Sequence, residues 1–124
     1  RKNIKLRVKK FSNKYQTQDP FALAKKLDVN ILYVPLPEKI RGILVRVLRK
    51  KTILLNDKLN YEAQKIVICH ELGHVRMHWH AVNFFQHVRI YYSPARYECE
   101  ANEFAIHLLN YSSDFIYDKD YILE

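Results

Sequence analysis

The stretch that most constrains the fold of this chain is "NYEAQKIVICHELGHVRMHW", Asn60 to Trp79. Asn60 reads as a helix cap, with Glu62 in the first turn beyond it. Ala63, Val67, His70, His74 and Met77 then fall on one face, and Ile68, Leu72, Val75 and Trp79 form a second stripe on the opposite side. A helix that is apolar on two sides must be covered on two sides. Whatever else the chain does, it has to build its core around this segment. Polar side chains on such a helix need partners, so its histidines and its glutamate cannot be treated as surface decoration.

The rest of the sequence supplies the cover. Ile4, Val8, Phe11 and Tyr15 recur at helical spacing, which predicts an amphipathic first helix, although Ile4, Leu6 and Val8 also alternate as in a strand. "QDPFALAKKLDV" predicts a second helix, with Asp19 as its cap and Pro20 in the first helical position. "NILYVPLP" predicts a short strand stopped by Pro35 and Pro37. "GILVRVL" and "KTILLN" predict two more strands joined by a turn at Arg49, Lys50 and Lys51. The stretch from Ala81 to Ser93 shows no period and reads as a loop. Pro94 opens a last long helix, with Ala101, Ala105 and Leu108 on one face. The expected fold class is α+β, a small and mostly antiparallel sheet packed on helices. With 124 residues, a single domain over 1–124 is expected.

Bulk properties exclude some classes. No apolar run approaches the ~20 residues that span a bilayer. The start "RKNIKLRVKKF" has no apolar core of a secretory signal. Two cysteines, Cys69 and Cys99, are too few for a disulfide scaffold and read as free, buried thiols of a cytoplasmic protein. The net charge of +8 is concentrated in "RKNIKLRVKK" and "RGILVRVLRKK". It reads as a solvated basic face first and as a nucleic-acid contact through the N-terminal region second, because aromatic residues are not interleaved with the basic ones.

The chemistry lies in His70-Glu71-Leu72-Gly73-His74, an H-E-x-x-H motif. Residues four apart on a helix share a face, so His70 and His74 can meet one ion. Glu71 lies about 100° round the helix and can reach an attacking water without ligating the metal. A catalytic zinc site needs a third protein ligand. His80 has the spacing used by one class of such enzymes, but the glycine that would turn the chain toward it is replaced by Met77. His78 is about 12 Å along a continued helix from His70 and reads as a supporting or helix-end residue. In "YECEANEFAIHLL", Glu98 shares the core-facing side with Ala101, Asn102 and Ala105, whereas Glu100 lies about 200° away and is expected to look outward. Glu98 is therefore the preferred third ligand, with Glu100 next. Asn102 is expected to hydrogen-bond one of the ligands. Tyr91 and Tyr92 are expected to pack rather than to stabilise an oxyanion, and His107 has no assigned role.

"HELGHVRMH" followed by "ECEANEFAIHLL" resembles the ImmA/IrrE family of zinc metallopeptidases, and the resemblance extends to "DPFALAKKLDVNI" and the strands before the motif. It implies a minimal zincin-like (gluzincin-like) domain holding one zinc ion, Zn2+, on His70, His74 and Glu98, with Glu71 as the catalytic acid and base. It also implies a substrate: a helix-turn-helix repressor of a phage or conjugative element, cleaved to release the element's genes. Family members often carry an added C-terminal region, so recognition here is expected to be reduced or supplied by a partner. The alternative is a non-proteolytic regulator that keeps zinc for structure and binds the repressor. The intact Glu71 speaks for the peptidase.

Overall fold

In a computed structural model, which describes residues 3–81, 88–90 and 94–111, the motif segment is a helix buried along most of its length. This helix, α3 (Tyr61–Met77), starts where Asn60 is extended and its side chain accepts the Ala63 N–H at 2.8 Å. Val67, Ile68 and Cys69 are buried, as are Leu72 and Met77. It ends at Met77, because His78 departs from helical geometry (φ −122°, ψ −2°) while its N–H still closes on the His74 carbonyl.

Among the described residues, the sheet on one side of α3 has four strands: β1 (Asn30–Val34), β2 (Gly42–Val47), β3 (Lys50–Asn56) and β4 (Val88–Ile90). Their order is β1-β3-β2-β4. β2 is antiparallel to β3 and β4, but β1 is parallel to β3. The sheet is therefore mostly antiparallel, as expected, with β1–β3 as its parallel pair. The β2–β3 hairpin folds back so that its second strand, not its first, lies beside β1, and the chain from Pro35 through β2 serves as the crossover that a parallel pair requires. Asn56 secures that connection, with its side-chain amide donating to the carbonyls of Leu36, Pro37 and Ile40.

The hairpin turn also differs from expectation. Leu48 and Arg49 form it, both with positive φ (49° and 72°), as in a two-residue primed turn. Lys50 and Lys51 are already strand residues opposite Val47 and Arg46. Trp79, read as the end of the motif helix, instead opens a 3-10 turn (Trp79–Ala81), and within the stretch expected to be loop β4 pairs with β2. Tyr91, Tyr92 and the tail from Ser112 lie outside the described residues.

Gly42 sits where the sheet meets α3. A Cβ there would lie 2.6 Å from Val67 Cγ1 and 3.2 Å from the Leu54 carbonyl oxygen. We expect Gly42→Ala to destabilise the fold by about 1–3 kcal/mol, the usual cost of overpacking. Urea unfolding checks this, and unchanged stability would mean that sheet and helix are not in contact there.

The other helices complete the cover. In α1 (Ile4–Tyr15) the helical reading of the two prevails, with Ile4, Val8 and Phe11 buried. α2 (Pro20–Lys26) is capped by Asp19, which accepts the Phe21 N–H, and packs on α3. α4 (Ala95–Tyr111) follows Pro94, whose carbonyl accepts from the amides of Tyr97 and Glu98. It lies between α3 and α1, with the Phe104 ring 5.8 Å from that of Phe11. Gly73 marks the close approach of α3 and α4. A Cβ there would stand 3.1 Å from Phe104 Cβ and 3.2 Å from Ala101 Cα. Among the described residues, no helix is long and apolar enough to cross a membrane.

Candidate metal centre

The close approach at Gly73 brings the first turns of α4 against the last turns of α3. Glu98, one turn before Ala101, thereby reaches the motif histidines. Its Oε1 is 3.1 Å from His70 Nε2 and its Oε2 is 2.7 Å from His74 Nε2. The two Nε2 atoms are 3.2 Å apart. Glu98 also stands in the first turn of α4, where the helix N-terminus favours negative charge.

Three donors thus converge. Two imidazole nitrogens at this distance need a proton or a cation between them. At zinc–nitrogen distances of about 2.0–2.1 Å, tetrahedral donors stand roughly 3.4 Å from one another, close to the observed separations. The chemistry of the set, two imidazoles and one carboxylate, is that of a catalytic zinc site with a fourth position left open.

Asn102 supplies a further sign of fit. Its side chain is buried and, among the described residues, its Oδ1 has no hydrogen-bond partner. It stands close enough to His70 to favour the protonated ring. If Nε2 of His70 is given to an ion, Nδ1 must carry the proton. A buried acceptor beside that ring is what the N–H then needs.

The acids divide by environment. Donor atoms of His70, Glu71 and His74 lie within 4.8 Å of one another, so Glu71 is a rival third ligand on distance alone. Glu98 is nearer to both rings and approaches from another helix. Glu71 is only 8% exposed, and burial pushes its carboxyl above the usual range, with His70 and His74 opposing and Glu98 reinforcing the rise. A carboxyl so placed exchanges a proton more readily near neutral pH. For His70, burial favours the neutral ring, but the Glu98 and Glu71 carboxylates outweigh it and its pKa ends above the usual value.

The other candidates lie elsewhere. His80 is exposed, in the 3-10 turn. Glu100 does not look outward: its Oε1 is 2.7 Å from His78 Nε2. The helical wheel misplaced it because α3 stops at Met77, so His78 swings off the helical path toward α4. His78 is fully buried, and its Nδ1 is 3.0 Å from His74 Nδ1. Cys69 is buried with its thiol pKa driven upward by burial, as expected of an inert packing residue, whereas Cys99 is exposed rather than buried. His107 lies 3.6 Å from Glu103, one turn away on α4.

Comparison with known proteins gives two matches. Residues 24–119 match the Peptidase_M78 family, described as the IrrE N-terminal-like domain. The chain is also 37% identical over 106 residues to "Uncharacterized immunity region protein 2" of Bacillus phage phi105, covering 86% of this chain and 67% of that protein. No solved structure matches.

Proposed function

Since the chain belongs to the Peptidase_M78 (IrrE N-terminal-like) family of metallopeptidases, we propose that it is a zinc-dependent endopeptidase whose substrate is a helix-turn-helix repressor of a phage or mobile element. The observation that carries this reading is the carboxylate of Glu98 meeting the Nε2 atoms of both motif histidines across the α3–α4 contact. His70, His74 and Glu98 would hold the ion. Zinc in such a site polarises the scissile carbonyl and acidifies water.

The remaining work falls to this chain's own side chains. Glu71 accepts a proton from the attacking water and delivers it to the departing amine nitrogen. Its burial raises the carboxyl pKa toward the range where both transfers are fast. Asn102 would accept from His70 Nδ1 and orient the ring once Nε2 is given to the ion. The repressor as substrate class is supported by the family resemblance and by the phage immunity region from which the relative takes its name.

The purified chain is expected to hold about one zinc per monomer, as suits one three-ligand site. Elemental analysis after mild dialysis measures it. A folded, metal-free chain that takes up no added zinc would defeat the reading. Incubation with the candidate repressor, with the fragments resolved by mass spectrometry, tests the activity itself.

A further inference from the structure

We propose that His78 and Glu100 are positioning residues for the metal centre, a hydrogen-bonded relay that fixes the tautomer of His74. The inference rests on the metallopeptidase reading and adds two residues to it. Four observations bear on it. His74 Nδ1 and His78 Nδ1 are 3.0 Å apart. His78 Nε2 is 2.7 Å from Glu100 Oε1. His78 is 0% exposed. The Tyr97 ring stacks on it at 4.0 Å with the planes 10° apart, which fixes the ring's orientation.

Two facing Nδ1 atoms can hydrogen-bond in one way only: one carries hydrogen and the other offers a lone pair. Glu100 sets the direction. A carboxylate accepts, so His78 Nε2 must donate to it, which leaves Nδ1 of a neutral His78 as an acceptor. His74 Nδ1 must then be the donor, and its Nε2 turns its lone pair toward the position that an ion shared with Glu98 and His70 would take. That is the tautomer a metal ligand needs. The acid at the far end makes the last hydrogen bond charge-assisted and raises the electron density that His74 can offer.

Both carboxylates come from the start of α4. Glu98 lies at the two Nε2 atoms and Glu100 lies behind the rings, so one helix end sets both sides of His74. A merely structural role for His78 and Glu100, pinning α4 to the end of α3, would stabilise the fold equally with and without metal. The relay instead predicts a specific effect on zinc affinity.

The test uses zinc alone as the probe, competed against a chromophoric chelator on the metal-free full chain, with thermal melting of each metal-free variant alongside. His78→Leu and Glu100→Leu are expected to weaken zinc binding roughly 10- to 100-fold, the usual effect of losing a ligand's hydrogen-bond partner. His78→Asn, whose side-chain oxygen can still accept from His74, is expected to recover part of the loss. Glu103→Gln, on the partner of His107, is the control and should bind as the parent does. If His78→Leu melts before it can be titrated, Glu100→Leu decides, since it removes the acceptor that sets the relay's direction, while Glu100→Gln keeps an acceptor without the charge and should lose less. Parent-like affinity in Glu100→Gln and Glu100→Leu overturns the relay. A parent chain that takes up no zinc overturns the metallopeptidase reading itself. Normal zinc uptake by the parent with equal uptake by the variants defeats the relay alone.

Discussion

Glu71→Gln is expected to keep the metal and to lose cleavage by about 10²- to 10⁴-fold, the range supplied by one general acid–base group. Gln has nearly the shape of Glu, so the packing of the buried side chain is preserved. What disappears is the ability to take a proton from water and to return it to the amine. Because the ion would be held by His70, His74 and Glu98, zinc affinity should change little. Parent and variant chains, each loaded with zinc, are incubated with the candidate repressor, and the fragments are counted by mass spectrometry. Equal cleavage by both would remove Glu71 from the mechanism. Absence of cleavage by either, together with equal relief of repression in cells, would favour the regulator that acts by binding.

Glu98→Ala is expected to lower zinc affinity on the order of 10²- to 10³-fold. Structural zinc sites gain about 10–16 kcal/mol from four ligands, so one ligand accounts for roughly 2.5–4 kcal/mol. The variant also leaves His70 Nε2 and His74 Nε2 facing each other at about the present 3.2 Å without a carboxylate between them. Glu100→Ala should cost less, roughly 10- to 100-fold, because Glu100 acts through His78 and His74. Chelator competition on the two variants ranks them. The reverse order would make Glu100 the ligand and Glu98 the support.

Much of this arrangement is legible in the chain because it is local. A cap such as Asn60, a proline at the start of a helix such as Pro20, and two histidines four apart each act within one or two turns. The phase of Glu98 with Ala101 and Asn102 is equally local. Pairing between strands is not. Nothing within "NILYV" states that its neighbour is β3 and runs parallel. β4 is three residues long, too short to show alternation. The turn at Leu48 and Arg49 was misplaced because neither residue is among those that favour positive φ. Glu100 was assigned to solvent from its phase in α4 alone, whereas His78, which leaves the helical path where α3 stops at Met77, comes round to meet it. Each miss concerns where an element ends or which element it meets, and both are decided by tertiary packing.

The meeting of Glu98 with His70 joins positions 28 apart in the chain. An ion shared by these side chains would act as a cross-link as well as a reagent. In chain-entropy terms, tying a loop of that size removes freedom from the unfolded state worth about 3–4 kcal/mol, as a disulfide would. That is a sizeable share of the total stability of a small protein. The same bond would therefore set turnover and lifetime together. Starved of metal, such a protein would lose its activity and its resistance to unfolding in one step, and its abundance in the cell would follow the supply of the ion.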